Sequence, residues 1–422
     1  MDNKYGIKFR IFDRAYRKSV AFMLFFYWMI LVIWQNVNST GENLGTVDTL
    51  LKAGLLLYLV LYFLIYANKI SQKIFAVLAF SIMLLLTFFL ETSVDLRTVI
   101  YYAFPILFSA VVYAFGDDFK INKDHLIAFF NCVIILASYT AIYALIFCTD
   151  QFKNAFEITS AYGNELSSFF YSSHEYGMYL SFAIIGCLIC LRFKRKESIG
   201  AKLPYLLVIL LLTPNLILTY SRTSIFATVI ALVILFIFDK NKKFKRWFLA
   251  IVVVAILFVV AIPTLRDFVF EIVMKGNEDA GRNELYQLAI DYFNDGTLIQ
   301  KMFGYGINES RDFFEVSTDH GSVHNAYLQV LVYYGTVGLG VMILFLLSQL
   351  YANLMLMKKN RFMGAIFTAM LLSGCAMMFT NTAIIFNSPI DSYFLTVVAI
   401  VVPKFVRNSI YSGVFDAEKE KQ

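Results

Sequence analysis

One histidine and two arginines stand where their side chains could do chemistry beside apolar segments. His324 precedes a long apolar run, Arg222 lies between two such runs, and Arg282 opens a polar segment of helical periodicity. A histidine suits general-base chemistry near neutral pH, and an arginine suits bidentate binding of phosphate. Each also has a plain structural interpretation, as a hydrogen-bonded core histidine, an interfacial arginine and a surface arginine. The segments around them decide between these interpretations.

Composition indicates a membrane protein. The 422 residues are 59% hydrophobic and only 16% charged, and the mean hydropathy is +0.68, whereas soluble domains contain about 25% charged residues. Apolar runs of the length that a transmembrane helix needs recur along the chain. We therefore expect an all-α polytopic protein with about twelve spans, at residues 19–34, 46–67, 74–90, 98–115, 125–148, 175–191, 203–220, 223–238, 247–263, 324–350, 362–380 and 382–403.

The distribution of charge predicts the orientation. The net charge is +6, but most of the 36 Lys and Arg residues lie at the amino terminus, in alternate loops and in the carboxyl-terminal tail. This asymmetry is typical of cytoplasmic segments and does not indicate nucleic-acid binding. We expect a multi-pass membrane protein with both termini in the cytoplasm.

The longest polar stretch, residues 264–323, is predicted to be a large extracytoplasmic loop between spans 9 and 10 of a single membrane domain, 1–422. It contains eleven acidic and five basic residues, so an anion bound there must be held by a few placed arginines. Residues 283–293 have the periodicity of a short amphipathic helix, and Gly296 and Gly304-Tyr305-Gly306 indicate tight turns. We expect a second polar segment, 149–174, to line the same mouth.

No pattern indicates a metal or a nucleotide. The spacing of Glu315, Asp319, His320 and His324 matches no common ligand motif. No phosphate-binding loop or dinucleotide fingerprint is present. We expect neither a metal nor a cofactor.

Four short motifs, taken in order, resemble the O-antigen ligase and O-antigen polymerase superfamily of surface polysaccharide enzymes. They are Tyr220-Ser221-Arg222-Thr223-Ser224, Gly281-Arg282, Phe303-Gly304-Tyr305-Gly306, and His324-Asn325-Ala326-Tyr327-Leu328-Gln329 ahead of Gly335 and Gly338. They cover roughly residues 210–345. One departure is Ser173-His174-Glu175-Tyr176, where relatives often have asparagines.

The resemblance implies a glycosyltransferase that uses sugars linked to undecaprenyl pyrophosphate on the outer face of the membrane, without metal or nucleotide. It implies that Arg222 and Arg282 bind the pyrophosphate and that His324 is the base in an inverting transfer. Expected partners are this lipid-linked oligosaccharide, membrane lipids, a chain-length regulator and a flippase. Residues expected to contact the substrate are Ser221, Tyr305, Asn325, Arg311 and His320.

Three other functions share part of this pattern. A ligase would pass the finished glycan to a lipid or protein acceptor, and the motifs do not separate it from a polymerase. A flippase or transporter would share the hydropathy but would spread charged residues through its spans. A scaffolding membrane protein would have no essential outward residue. We favour the polymerase because it needs no dedicated acceptor.

Overall fold

The computed structural model describes residues 44–66, 70–156, 165–170, 172–238, 282–318, 322–387 and 389–415, with isolated residues between 245 and 270. Every regular element in these ranges is helical, which confirms the predicted class. The predicted spans 19–34 and 247–263 lie outside the described ranges, apart from isolated residues of the second.

The described helices are numbered here in chain order. They are α1 (Leu44–Tyr66), α2 (Ile74–Phe88), α3 (Leu96–Ser109, continued by a π-helix Ala110–Phe115 and a 3-10 turn Gly116–Asp118), α4 (Lys123–Phe147), α5 (Thr149–Phe156), α6 (Ser173–Phe193), α7 (Ile199–Leu218), α8 (Arg222–Phe238), α9 (Arg282–Asp295), α10 (Leu298–Phe303), α11 (Ile307–Thr318), α12 (Ala326–Lys359), α13 (Arg361–Met377), α14 (Ile390–Thr396, continued by a π-helix Val397–Val401) and α15 (Val402–Tyr411).

Six of the described helical segments are long and apolar enough to cross a membrane: Leu96–Phe115, Lys123–Phe147, Ser173–Phe193, Ile199–Leu218, Ala326–Lys359 and Asp391–Tyr411. Shorter apolar helices include Arg222–Phe238 and Arg361–Met377. Each predicted span within the described ranges overlaps a helix. The total of twelve and the side of the membrane on which the loop lies stay predictions.

Helix α6 is largely enclosed by neighbouring helices. It packs against α4, α7 and α8, and nearly all of its residues from Ser173 to Cys190 are buried. Helix α13 packs against α8 on one side and α12 on the other. These contacts bring together the ends of α6, α8, α12 and α13, which carry the candidate residues.

The last predicted span starts later than hydropathy indicated. Residues 382–387 are not helical, although Ala383, Ile384 and Phe386 are buried. The backbone N–H of Ile384 donates to Ser392 Oγ at 2.9 Å, and that of Phe386 donates to Thr396 Oγ1 at 2.8 Å. Hydroxyl groups of α14 thus accept the hydrogen bonds of backbone N–H groups in this irregular apolar segment. Irregular backbone of this kind is tolerated at membrane depth only where it is buried inside protein.

Candidate functional site

Helix α9, which the sequence predicted as the amphipathic helix of the loop, joins two of the motif-bearing helix ends. Arg282 in its first turn reaches His174 at the start of α6. One turn later, the hydroxyl of Tyr286 lies 3.4 Å from the carbonyl oxygen of His324 and 3.3 Å from that of Phe379. One short helix therefore contacts both the α6 end and the segment that carries His324.

A chain of hydrogen bonds connects three elements at this site. Arg282 Nη2 lies 2.8 Å from His174 Nε2, and His174 Nδ1 lies 3.0 Å from Ser221 Oγ. Ser221 Oγ in turn donates to Ser224 Oγ at 2.9 Å. The predicted proximity of the 149–174 segment and the loop helix is therefore observed at His174, a residue that the candidate set from the sequence omitted.

The α6 and α8 helices approach closely beneath this chain. A Cβ on Gly177, one turn after His174, would lie 2.9 Å from Ser224 Oγ and 3.1 Å from Ser221 Cβ. A larger side chain there would require the Ser224 hydroxyl to move and the two helices to separate slightly. Gly177 therefore allows His174 to reach Ser221.

Arg222 begins α8 directly after a sharp turn. Tyr220 has φ of 51°, an uncommon conformation for a residue other than glycine, and the backbone N–H of Arg222 donates to the Tyr220 carbonyl at 2.9 Å. Ser221 is fully buried whereas Arg222 is exposed. The turn thus directs the serine inward to His174 and leaves the guanidinium next to it accessible.

His324 occupies a second strained position, with φ of 52°. The next residue, Asn325, is the N-cap of α12, and its Oδ1 accepts from the backbone N–H groups of Tyr327 and Leu328 at 3.0 and 3.2 Å. The N–H of Ala326 donates to the Met378 carbonyl at the end of α13. The cap and α13 hold the backbone that carries the half-buried His324, and strain of this kind often accompanies functional sites. Capping also gives Asn325 a structural role, while its predicted contact with substrate stays a prediction.

The two remaining histidine and arginine candidates of the loop are less informative. Arg311 is paired along α11, with its Nε 3.4 Å from Glu315 Oε1 and its Nη2 3.8 Å from Asp312 Oδ1. His320 lies outside the described residues. Substrate contact by either residue stays a prediction.

The Gly304-Tyr305-Gly306 motif packs against α12 about two turns after the helix starts. The N–H groups of Tyr305 and Gly306 donate to the carbonyls of Val332 and Tyr333, and the Tyr305 ring stacks on Tyr292 at 4.1 Å. Its hydroxyl donates to the Tyr292 carbonyl at 2.7 Å. These contacts explain the motif as the attachment of the loop helices to α12, and the predicted substrate contact of the buried Tyr305 is not tested by them.

Glu91, after α2, holds the start of α11. Its Oε1 accepts from the Ile307 N–H at 2.6 Å and from Tyr102 Oη at 2.7 Å. A carboxylate at a helix N-terminus is stabilised by the helix dipole. Burial, together with the charge of Glu91, raises the pKa of Glu309 in the first turn of α11. Glu91 therefore attaches the loop helices to the membrane helices at a place separate from Arg222 and Arg282.

A cavity of about 510 Å³ lies between α2, α3, α12 and the irregular 384–387 segment. Its lining is almost entirely apolar, and it extends along α12 from Val330, one turn into the helix, to Gln349. The remaining α12 residues in the lining are Tyr334, Gly338, Val341, Met342, Leu344, Phe345 and Ser348. The helix that starts beside His324 therefore also forms one wall of an apolar cavity.

Helix α9 and the start of α6 link the segments that carry the two motif arginines and His324. The linked residues are an exposed arginine at the start of α8, a second arginine that is connected through His174 to the serine before α8, and a histidine whose carbonyl contacts the same loop helix. Within the described part of the chain, no group of three or more His, Cys, Asp and Glu side chains is arranged to hold a metal ion.

The chain from residue 205 to 343 matches the sequence model of a protein family described as O-antigen ligase. This interval includes all four motifs and confirms the predicted resemblance to the O-antigen ligase and polymerase superfamily. Members of this family are glycosyltransferase-like enzymes of surface polysaccharide assembly. Together with the apolar helices, the match indicates a multi-pass membrane protein. No curated protein matches the chain.

Proposed function

From the family match over residues 205–343, we propose that the protein is a polymerase of lipid-linked oligosaccharide repeat units in the synthesis of O-antigen or capsule. The observation that carries the proposal is the Arg282–His174–Ser221 chain, which connects the arginine of the loop helix, through one imidazole ring, to the serine that precedes Arg222. Both motif arginines then serve one site. The bacterial cytoplasmic membrane, with this site on its outer face, is the proposed location.

The proposed donor is a glycan on undecaprenyl pyrophosphate. Pyrophosphate is already a good leaving group, so the site has to balance its charge rather than protonate it. Guanidinium groups suit this task because they donate parallel hydrogen bonds to phosphate oxygens. Arg222 and Arg282 are assigned to it.

His324 is assigned as the general base. It accepts the proton of an acceptor hydroxyl while that oxygen forms a bond to the anomeric carbon of the donor sugar. The bond from the anomeric carbon to the pyrophosphate oxygen breaks on the opposite face, and undecaprenyl pyrophosphate leaves with the electron pair. The anomeric configuration inverts, and neither a metal nor a nucleotide takes part in this scheme.

The apolar cavity supports a donor carried on a lipid. A polyprenyl chain has to remain in an apolar environment while its pyrophosphate lies at the polar end of the bundle. The cavity wall formed by α12 starts one turn below Asn325, so a chain bound in the cavity would extend from the region of His324 into the span.

The second candidate is a ligase that transfers the glycan to a lipid or protein acceptor. The description of the matching family, O-antigen ligase, favours it. The two reactions use the same donor and the same base and differ in the acceptor. We favour the polymerase because one lipid-linked substrate then supplies both donor and acceptor.

The test incubates purified protein with a synthetic undecaprenyl-pyrophosphate oligosaccharide, with and without a chelator, and resolves the products by size. His324→Ala is compared with His125→Ala, which alters a histidine that the scheme does not use. A ladder from the wild type and from His125→Ala, unaffected by the chelator and absent with His324→Ala, supports the polymerase. A full ladder from His324→Ala contradicts the assigned base.

The ligase has its own outcome in the same experiment. A single transfer product that appears only after a lipid-core or protein acceptor is added replaces the polymerase by the ligase. Absence of any transfer with either acceptor contradicts both enzymes, and movement of the intact lipid-linked glycan across liposomes would then indicate a flippase.

A further inference from the structure

The hydrogen bonds around His174 determine where its proton lies. A guanidinium group has only N–H donors, so the 2.8 Å contact from Arg282 Nη2 makes His174 Nε2 an acceptor. A neutral imidazole with an unprotonated Nε2 carries its hydrogen on Nδ1. That Nδ1–H donates to Ser221 Oγ at 3.0 Å, and the Ser221 hydroxyl donates a hydrogen bond to Ser224 Oγ. Only with this tautomer does each hydrogen bond from Arg282 to Ser224 have one donor and one acceptor.

We propose that His174 is a positioning residue that orients Arg282 for the pyrophosphate of the donor while leaving the charge of the arginine intact. The functional part of this inference rests on the proposed transferase activity. The Nδ1–H tautomer rests on the geometry alone.

A neutral acceptor is better suited to this task than a carboxylate. Pairing of Arg282 with an acidic side chain would fix the guanidinium but offset the positive charge that a pyrophosphate needs. The loop stretch 264–323 contains eleven acidic residues, so such pairing is the obvious competitor. An imidazole Nε2 takes one of the five N–H hydrogens of the arginine and contributes no negative charge.

The two serines at the end of this hydrogen-bond chain are held in a packed environment, which makes the positioning of Arg282 effective. Ser221 is fully buried and Ser224 is 2% exposed, and the close approach at Gly177 seats the first turn of α6 on them. A long arginine side chain otherwise loses considerable rotamer entropy when it is held in one geometry. His174 supplies this orientation before the donor arrives.

Three substitutions separate the two contacts of His174. His174→Ala removes both contacts. His174→Gln can place its amide oxygen near the Nε2 position and so retain the contact to Arg282. His174→Asn has a shorter side chain and retains only a group near Nδ1, facing Ser221.

The first readout is kinetic. In transfer assays we expect His174→Ala to raise the KM for the lipid-linked donor about tenfold with less than about threefold change in kcat, because orientation of the anion-binding arginine is lost. His174→Gln should recover a KM within about threefold of the wild type, and His174→Asn should not. An unchanged donor KM in His174→Ala, or equal rescue by both amides, overturns the positioning role.

The second readout does not depend on catalysis. The imidazole ¹⁵N signals of the purified wild-type protein, assigned by their loss in His174→Gln, should show a protonated Nδ1 and an unprotonated Nε2. In Arg282→Ala this pattern should be lost. A wild-type His174 that is protonated on Nε2, or on both nitrogens, overturns the proposal. If the tautomer is as expected and no transfer occurs, the proposed function fails while the assigned hydrogen-bond chain stands.

Discussion

Gly304 and Gly335 interlock, since the backbone beside each glycine fills the space that a side chain on the other would need. A Cβ on Gly304 would lie 2.1 Å from the Tyr333 carbonyl oxygen, and a Cβ on Gly335 would lie 2.3 Å from the backbone of Met302. Gly335 has φ of 69° and ψ of −170° inside α12, a conformation that is essentially restricted to glycine. The loop helices are thus attached to a kink in the helix that begins beside His324.

Replacement of Gly335 by alanine should therefore separate the loop from α12. We expect the free energy of unfolding to fall by about 3 kcal/mol or more, because of backbone strain and the clash with Met302. Thermal unfolding in detergent measures the loss. Transfer activity should fall with it because α9 carries Arg282.

Gly340→Ala is the matched control on the same helix. A Cβ at Gly340 meets nothing within 4 Å, and alanine favours a helix by up to about 1 kcal/mol. Gly340→Ala should be neutral or slightly stabilising. Equal stability of the two variants would show that the packing at Gly335 does not hold the loop.

Hydropathy predicted the helices well because it reports burial in an apolar environment, but it does not report backbone conformation. Residues 382–389 are apolar enough to resemble the start of a span. Whether they form a helix depends on Ser392 and Thr396, which supply hydrogen-bond partners to Ile384 and Phe386. A non-helical start therefore could not be predicted from the apolar pattern.

The motifs identified both arginines and the helix ends but omitted His174. Its partners are separated from it by 108 and 47 positions along the chain, and hydropathy carries no information on such contacts. A weak signal existed in the Ser-Ser-His-Glu sequence at the start of an otherwise apolar span. Asn325 shows the opposite case, since its place ahead of a long helix is typical of an N-cap, and the structure shows this role.

The apolar cavity leads to a prediction about donor length. Val341 on α12 lines the cavity, and a tryptophan there should fill part of it. If the polyprenyl chain binds in the cavity, Val341→Trp should lower kcat/KM about tenfold for the undecaprenyl donor, or roughly 1.4 kcal/mol of transition-state stabilisation. A donor with a short prenyl chain should be affected less.

Leu347→Trp provides the control for this measurement. Leu347 is on the same helix, is 54% exposed and does not line the cavity. Its substitution should leave both donors unaffected. Equal losses for long and short donors in Val341→Trp would place the lipid chain elsewhere.

The buried Lys404, which lies over the ring of the cavity-lining Tyr113, depends on Asp117. Lys404 Nζ lies 3.0 Å from Asp117 Oδ1 with its side chain only 4% exposed, whereas the half-exposed Lys73 lies 2.7 Å from the same oxygen. Asp117→Asn should lower the free energy of unfolding by about 3 kcal/mol because it leaves the buried Lys404 without its carboxylate. Lys73→Met, the control, should cost less than about 1 kcal/mol because its pair is solvated. Similar unfolding temperatures for the two variants would contradict this.

The contribution of Asp117 to stability should depend on pH. Burial would raise the pKa of Asp117, but hydrogen bonds from Lys73 and Ser71 and the charge of Lys404 together lower it from 3.8 to about 2. A carboxyl with a lowered folded-state pKa stabilises the protein above its unfolded value and loses this contribution as pH falls. The difference in unfolding temperature between wild type and Asp117→Asn should therefore shrink between about pH 4 and pH 2. A constant difference across this range would contradict the shift.

The accessible guanidinium of Arg222 should be needed for its shape as well as its charge. A planar guanidinium can donate two parallel hydrogen bonds to phosphate oxygens, whereas a lysine ammonium acts as a point charge. We expect Arg222→Lys to lower kcat/KM for the lipid-linked donor at least about tenfold, which corresponds to roughly 1.4 kcal/mol, with an unchanged unfolding temperature.

Arg361→Lys is the matched control because Arg361 lies at the opposite end of α8, where its Nε donates to the Phe238 carbonyl at 3.0 Å. This variant should retain activity within about twofold of the wild type, since it alters an exposed arginine remote from the proposed anion site. Normal turnover by Arg222→Lys would reduce Arg222 to an interfacial anchor, and the pyrophosphate would then depend on Arg282, whose orientation His174 sets.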